Sequence, residues 1–456
     1  MEPVPASHAD LVILVERQVA LIAELRASVA AQQATIARLE QRIQDLERSS
    51  GTPRGMPGHK PGPAPEHRAR PARRPRQQQF TRPRSQPTRQ VMHAVPHCPT
   101  CGLALAGGSV KRTREFIEVE PTPVTITEHV YLERCCPGCG QRHTPAADLG
   151  GVVVGQSRFG VRLVSLIATL REEARLPLRA IQRYLANVHG LAVSVGALVG
   201  AVRQVAQVGQ PALTTLAAQV RASPALHADE TGWREAGRNG FVWSFSTPTA
   251  CLFTHGGRST AMLAPVADAV GVLTSDFYAV YDHYPGVQQK CWAHLLRDVH
   301  DLRLRHADAG AVSAWATAVQ AVFAAAQRAA TELAALPAEA PARQAARQQL
   351  MAQAQALCAP YLALDPPAPQ TVLCRRIEKY LAALFVFVLD PAVAATNNAA
   401  ERSLRHLVVS RKISGGTRSS AGTTTKLTLA SLFTTWRLRG LNPYLACHNL
   451  LSSPQP

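Results

Sequence analysis

No stretch of this 456-residue chain stays apolar for the ~18 residues a membrane-spanning helix needs. YLAALFVFVL at 380–389 comes nearest, and it reads as a buried helix. A secretory pattern is also missing: the N-terminus carries Glu2 and Asp10 and no cleavage-like site. These absences argue against a membrane or secreted protein and for a cytoplasmic one. Acids are scarce, with 31 Asp and Glu against 49 Lys and Arg and a formal charge of +18. So acid-poor a chain expects a polyanionic partner, most simply nucleic acid. Lysine is scarce as well. Nearly every cation is Arg, the better bidentate phosphate ligand, although a GC-rich genome would give the same bias. The length exceeds what one core supports, so two to four domains are expected.

Residues 8–49 hold a heptad pattern, with Val15, Ile22, Val29, Ile36 and Ile43 at one position and Leu11, Leu25, Leu39 and Leu46 at the other. Gln18 and Gln32 interrupt it. β-Branched residues at the first position with Leu at the second favour a parallel two-stranded coiled coil, hence a homodimer. A lone amphipathic helix packed on its own domain is the plainer alternative. Residues 50–90 are rich in Pro and Arg with a single acid, Glu66. That composition cannot form a core, and it suits an extended tether that can also track phosphates.

Ten cysteines are present. In a cytosolic chain the close pairs HCPTCG (97–102) and CPGCG (136–140) suggest metal rather than disulfides. Two such knuckles around a β-ribbon, with REFIEVE and VTITEHVYLE as its strands, supply four thiolates for one structural Zn²⁺: Cys98, Cys101, Cys136 and Cys139. Cys135 and, more remotely, His143 are substitutes. The ribbon is assigned to 91–150.

A helical domain follows at 156–210. Pro177 suits a helix start, Gly190 a helix end, and Ser194 a cap for VGALVGAVRQVA. The order helix, turn, helix fits a helix-turn-helix. LVGAV lacks base-reading side chains, however, so a plain helical subdomain fits equally well. From 222 the pattern turns to strands. PALHADETGWREA and FVWSFSTP flank the hairpin signal Asn239-Gly240, with Phe241, Trp243 and Phe245 alternating. ACLFTHGG adds a third strand, TAMLAPVADAV a helix, and GVLTSDFYAVY a fourth strand. This is the opening order of a ribonuclease-H-like α/β fold. Its first part is placed at 222–300, a helical insertion at 301–395, its second part at 396–440, and a tail at 441–456.

The segment TNNAAERSLRHLVVSRKISGGTRSSAG (396–422) keeps one acid, Glu401, among Arg402, Arg405, Arg411, Lys412 and Arg418. Asn398-Ala-Ala-Glu401 has capping-box spacing, and Glu401 with Arg405 has that of a helix-surface pair. Another reading is chemical. In this topology Asp229, at the end of the first strand, and Asp276, at the end of the fourth, come from neighbouring strands. Glu401 borders the apolar stripe of Leu404, Leu407 and Val408 and so can face the sheet. Three converging carboxylates need cations, and two Mg²⁺ (or Mn²⁺) ~3.5–4 Å apart would serve phosphoryl transfer. The surrounding Arg and Lys residues would then hold a phosphodiester backbone.

HADETGWREAGRNGFVWSF, SDFYAVYDHYPGVQQKCWAHLLRDVHDL and the 396–422 segment resemble the three signature blocks of the insertion-sequence-66 transposases, a DDE family of bacterial mobile elements. GMPGHK, the cysteine knuckles and RFGVRLVSLIATLREEARLPL extend the resemblance over most of the chain in the same order. It implies a catalytic triad at Asp229, Asp276 and Glu401 and a supporting Cys-x-x-His pair at Cys291 and His294. It also implies double-stranded DNA as partner, as element ends and target, accessory proteins of the same element, and action on the bacterial nucleoid. The expected fold is multidomain α+β: coiled coil, zinc ribbon, helix-turn-helix-like domain and a ribonuclease-H-like core with an all-helical insertion. Glu230 should point away from Asp229 and be structural. Asp282 is the rival of Asp276, but the family pattern places the acid in the Ser-Asp pair. Asp298 and Asp301 should pair with Arg297, Arg303 and Arg305. The expected activity is end cleavage and 3′-hydroxyl strand transfer. The alternatives are an inactive end-pairing protein or repressor on the same fold, and a nuclease or resolvase without strand transfer.

Overall fold

The computed structural model describes residues 86–453, apart from 118, 120–122 and 147, and scattered residues between 18 and 41. It divides into two compact units, Met1–Ile117 and Glu118–Pro456. In the first, the described residues between 18 and 41 are helical, and Ile22, Val29 and Ile36 of the heptad seam are exposed. The rest of the coiled coil, and the linker up to residue 85, lie outside the described residues. The described parts of REFIEVE and VTITEHVYLE are not strands, contrary to expectation. Phe116, Ile117, Ile126 and Val130 are exposed, so neither segment has the covered face that stabilises strand pairing.

The second unit starts with a short antiparallel pair, β1 (Arg134–Cys135) and β2 (Arg142–His143). Four helices follow: α1 (Val161–Glu172), α2 (Leu178–His189), α3 (Val195–Val208) and α4 (Gln210–Arg221). Their ends are set as the sequence suggests. Pro177 precedes α2, Gly190 closes it in the left-handed conformation (φ 64°), and the Ser194 hydroxyl accepts the amide of Ala197.

The sheet comprises β3 (Ala225–Glu235), β4 (Arg238–Ser246), β5 (Cys251–Gly256), β6 (Val272–Ser275) and β7 (Gln288–Lys290), in spatial order β5-β4-β3-β6-β7. The first three are antiparallel, while β6 and β7 run parallel to β3. That arrangement agrees with a ribonuclease-H-like domain. The hairpin turn is Ala236-Gly237, both at positive φ, rather than Asn239-Gly240. A two-residue loop of that hand needs left-handed backbone at both positions, and Gly237 supplies it without strain. Gly240 lies within β4, where a Cβ would come within 2.7 Å of the His255 ring. TAMLAPVADAV holds a 3₁₀ helix at Thr260–Val266 with Pro265 inside it, a residue that denies the α-helix a backbone donor.

After β7 come α5 (Trp292–Arg305), α6 (Gly310–Glu332), α7 (Pro341–Leu362), α8 (Thr371–Lys379), α9 (Leu381–Leu384) and α10 (Val386–Leu389). They share one apolar core around Trp292, Trp315, Phe385 and Phe387. Residues 380–389 are largely buried, Ala382 excepted, but form two single turns broken at Phe385. The Arg343 side chain, fully buried, donates to the carbonyls of Leu333, Leu336 and Val388, groups left open where helices end.

The chain then returns to the sheet as α11 (Asn398–Ser414), α12 (Ser420–Leu438) and α13 (Pro443–Ser452). α12 is buried on nearly every side. Leu427 and Ala430 pack on one sheet face, Leu432 belongs to the core of the other, and Leu429 and Phe433 join α1–α3. Its Ser431 and Thr435 hydroxyls accept the amides of Phe253 and Cys251, satisfying the open side of edge strand β5. The C-terminal segment is not a loose tail, since Cys447 and Leu451 of α13 complete the α1–α3 core.

Where α12 meets α1, the Lys426 ammonium reaches both Glu172 carboxylate oxygens at 2.9 and 2.7 Å, with both side chains buried. Removing one partner strands the other charge in an apolar core. Lys426→Met alone should therefore cost about 3–5 kcal/mol in denaturant unfolding, and Glu172→Leu with Lys426→Met should recover most of it. A double variant no better than the single one would contradict this account.

Candidate active site

Side chains on β3 alternate between faces. Asp229 stands opposite Ser244 on β4, and Glu230 opposite Trp243. The Ser244 hydroxyl is 2.7 Å from that of Ser403 on α11, so the face bearing Asp229 is the one α11 covers. Leu404 and Leu407 of α11 pack there with Trp233, Val242 and Phe253. This packing sets Glu401, one turn before Leu404, at the helix end nearest Asp229. Asp229 does not end its strand, because β3 continues six residues to Glu235. It stands just beyond the stretch 225–227 where β6 pairs with β3. Asp276 follows the last residue of β6, and its carboxylate accepts the amide of Tyr278.

Burial, chiefly, and then the charges of Glu230, Asp276 and Glu401 push the Asp229 carboxyl up to about 7, against the pull of a hydrogen bond from the Glu230 amide. Acids from three remote stretches of chain thus share one electrostatic field. Among the described residues, no three His, Cys, Asp or Glu side chains stand gathered as a finished metal cage. The chemistry of this donor set suits divalent cations nonetheless. It brings hard oxygen ligands whose mutual repulsion, visible in Asp229, a cation would relieve.

Glu401 takes neither of its structural roles. The cap position falls on Asn397, which makes no side-chain cap bond, and Glu401 turns to His294, Nε2 to Oε1 3.6 Å, instead of Arg405. His294 stands one turn into α5, beside Cys291 at the cap position. The thiol is mainly raised by burial, but the His294 side chain and the Asn397 amide leave it below its usual range. The His294 imidazole is raised, first by Cys291, against burial, and further by the charge of Asp276. The Cys-x-x-His pair therefore touches Glu401 and feels the charge of Asp276.

The other carboxylates have different partners. Glu230 pairs with Arg258, which sits over the Phe241 and Tyr278 rings, and accepts the Tyr281 hydroxyl at 2.6 Å. Asp282 is held by Lys290 at 3.1 Å, Lys379 at 2.9 Å and the Tyr380 hydroxyl at 2.7 Å. Asp298 pairs across the insertion with Arg376 of α8, not with a neighbour on its own helix, because α5 packs on α8. The Asp301 carbonyl accepts Arg305 Nε. Of the five bases, Arg402, Arg405, Lys412 and Arg418 are exposed. Arg411 is turned inward, donating to the Gly232 carbonyl and the Thr231 hydroxyl. Gly232 lacks the side chain that would block this approach.

Sequence reading passed over two residues here, Lys290 and Asn397. Each is fully buried and touches the neighbours of the acids. A lysine inside the short apolar-flanked strand QQKCW was the available signal for the first.

The cysteine pairs form matching turns, one in each unit. The Gly102 amide donates to the Cys98 carbonyl at 2.8 Å and the Gly140 amide to that of Cys136 at 2.9 Å, with both glycines at φ above 70° or equal to it. Hydrogen bonds from Cys101 and Thr100 lower the Cys98 thiol, and those from Cys139 and Gly138 lower Cys136. Cys136 is thus the counterpart of Cys98, whereas Cys135 points its sulfur at the Gly140 carbonyl.

Compared with known families, residues 156–425, more than half of the chain, match the model described as "Transposase IS66 family". No curated protein gives a significant match. No helix among the described residues is long and apolar enough to cross a membrane.

The Asp229 shift sets a pH dependence. With a folded value about 7 against 3.8 for the free group, the folded chain keeps a proton that the unfolded chain has lost. In metal-free buffer, stability should fall as pH rises from about 4 to above about 7. Asp229→Asn should exceed wild type by roughly 2–4 kcal/mol near pH 8 and converge with it below about pH 4, in urea unfolding across that range. A gap that does not change with pH would refute the assignment.

Proposed function

Because this chain belongs to the IS66 transposase family, we propose that it cuts the ends of its element and joins the freed 3′-hydroxyl to target DNA. What supports this reading is the placing of Asp229 on the sheet face that α11 covers, beside the strand that leads to Asp276, with the Glu401 helix tied to β3 at Ala228. Asp229, Asp276 and Glu401 would hold two Mg²⁺, or Mn²⁺, whose charge favours ionisation of the attacking water or 3′-hydroxyl and offsets charge on the departing 3′ oxygen.

The protein's own side chains do the rest. Arg402, Arg405, Lys412 and Arg418 line the exposed side of the Glu401 helix and its following turn, where they hold phosphodiester oxygens. Arg411 acts from behind, tying α11 to β3. His294 would hold the Glu401 carboxylate in place through their contact. The cysteine knuckles, the basic linker and the α1–α3 helices would place the element ends. The heptad helices pair two subunits so that two ends are processed together, with accessory proteins of the element as further partners. The site of action is nucleoid DNA in the bacterial cytoplasm.

Asp229→Asn should abolish Mg²⁺- or Mn²⁺-dependent nicking of element-end DNA, by at least about a thousandfold, while end binding in a mobility-shift assay stays within about twofold. Wild-type protein that shifts end DNA but never cuts it would mark a binding protein or repressor. Cut ends that are never joined would mark a nuclease.

A further inference from the structure

Asn397, the residue just ahead of the Glu401 helix, is fully buried. Its side-chain nitrogen donates to the Ala228 carbonyl at 2.7 Å, and its side-chain oxygen lies 3.3 Å from Nδ1 of His227. Its backbone amide donates to the Cys291 sulfur at 3.0 Å, and its carbonyl accepts the amide of Glu401 at 3.2 Å. Cys291 in turn donates its own amide to the Ser275 carbonyl at 2.9 Å. Ala228 precedes Asp229, and Ser275 precedes Asp276. The Asn397–Cys291 pair is therefore bonded to the peptide ahead of each aspartate and to the amide of Glu401 itself.

Only an amide of this length suits the position. It must give a proton to one backbone oxygen and accept at the His227 ring. Aspartate would lose the donor and bury a charge, and alanine would leave both partners unpaired.

We propose that Asn397 is a positioning residue for the three carboxylates, setting the relative stations of Asp229, Asp276 and Glu401 and hence their grip on divalent ions. The inference rests on the catalytic reading above. Groups that orient metal ligands in this way are worth about 10–100-fold in metal affinity or activity.

The test uses the full chain and Mn²⁺ as probe, read by electron paramagnetic resonance of the free ion without DNA, beside single-turnover cleavage and end binding. Asn397→Ala should raise half-saturating Mn²⁺ about tenfold or more and slow cleavage comparably, with end binding unchanged and part of the rate restored by excess Mn²⁺. Should that variant fail to fold, Cys291→Ala and Cys291→Ser carry the test. Alanine removes the acceptor of the Asn397 amide and weakens Mn²⁺ binding, whereas serine keeps an acceptor and restores it. A folded Asn397→Ala that binds Mn²⁺ as wild type does, while Asp229→Asn does not, would overturn the positioning role alone. Equal Mn²⁺ binding by wild type and Asp229→Asn would overturn it together with the catalytic reading.

Discussion

Everything at the sheet's working face depends on one helix lying along one strand. α11 is bonded to β3 from end to end. Asn397 reaches Ala228 where the helix begins, Arg411 reaches Gly232 on its last turns, and Thr417 pairs with Arg234 and Ala236 beyond its end. Gly416 permits that last contact, since at φ 110° a Cβ would strike the Arg234 carbonyl. Leu404 and Leu407 supply the apolar grip between these bonds. With so many fixed points the helix cannot rotate or slide, and Glu401 inherits its place from a strand far behind it in the chain.

Against that frame the acids divide by their partners. Glu230 and Asp282 are engaged by Arg258, Lys290 and Lys379, so their charge is already balanced. Among the described residues Asp229 has only a backbone amide as partner, and it bears the field of its neighbours, which burial intensifies. The surrounding side chains satisfy the structural carboxylates and leave Asp229 wanting positive charge. On the proposed function, that imbalance separates chemistry from scaffolding more cleanly than acidity does. On the same proposal it also gives the basic surface a purpose: a polyanion drawn to Arg402 and Arg405 would bring its backbone to the place where the acids stand.

Much of this was legible in the chain itself, because some signals are local. Gly190 and Ser194 mark their helix ends by backbone physics alone. The alternation of Trp243 and Phe245 marks a half-buried strand, and the strand order up to β6 follows from runs and turns. What stayed hidden depends on partners remote in sequence. The three-residue β7 is too short to have a period, and it exists because β6 offers an edge. Residues 380–389 read as one apolar helix, yet break where Gln289 reaches the Phe387 amide. Arg411 looks like its exposed neighbours until Gly232 is opposite it. The sequence marks Asn398 as the cap, yet the cap position falls on Asn397, whose side chain bonds to a strand 169 residues away.

α12 takes part in three of the four apolar cores, and α13 closes the core that α1 opens. The amino- and carboxyl-terminal portions of the second unit are therefore interleaved rather than strung in series. Its helical part cannot be exchanged as a cassette between relatives, because a crossover anywhere between α3 and α12 would join half of one core to half of another. Such a unit diversifies by point substitution on its surface and is inherited as a whole.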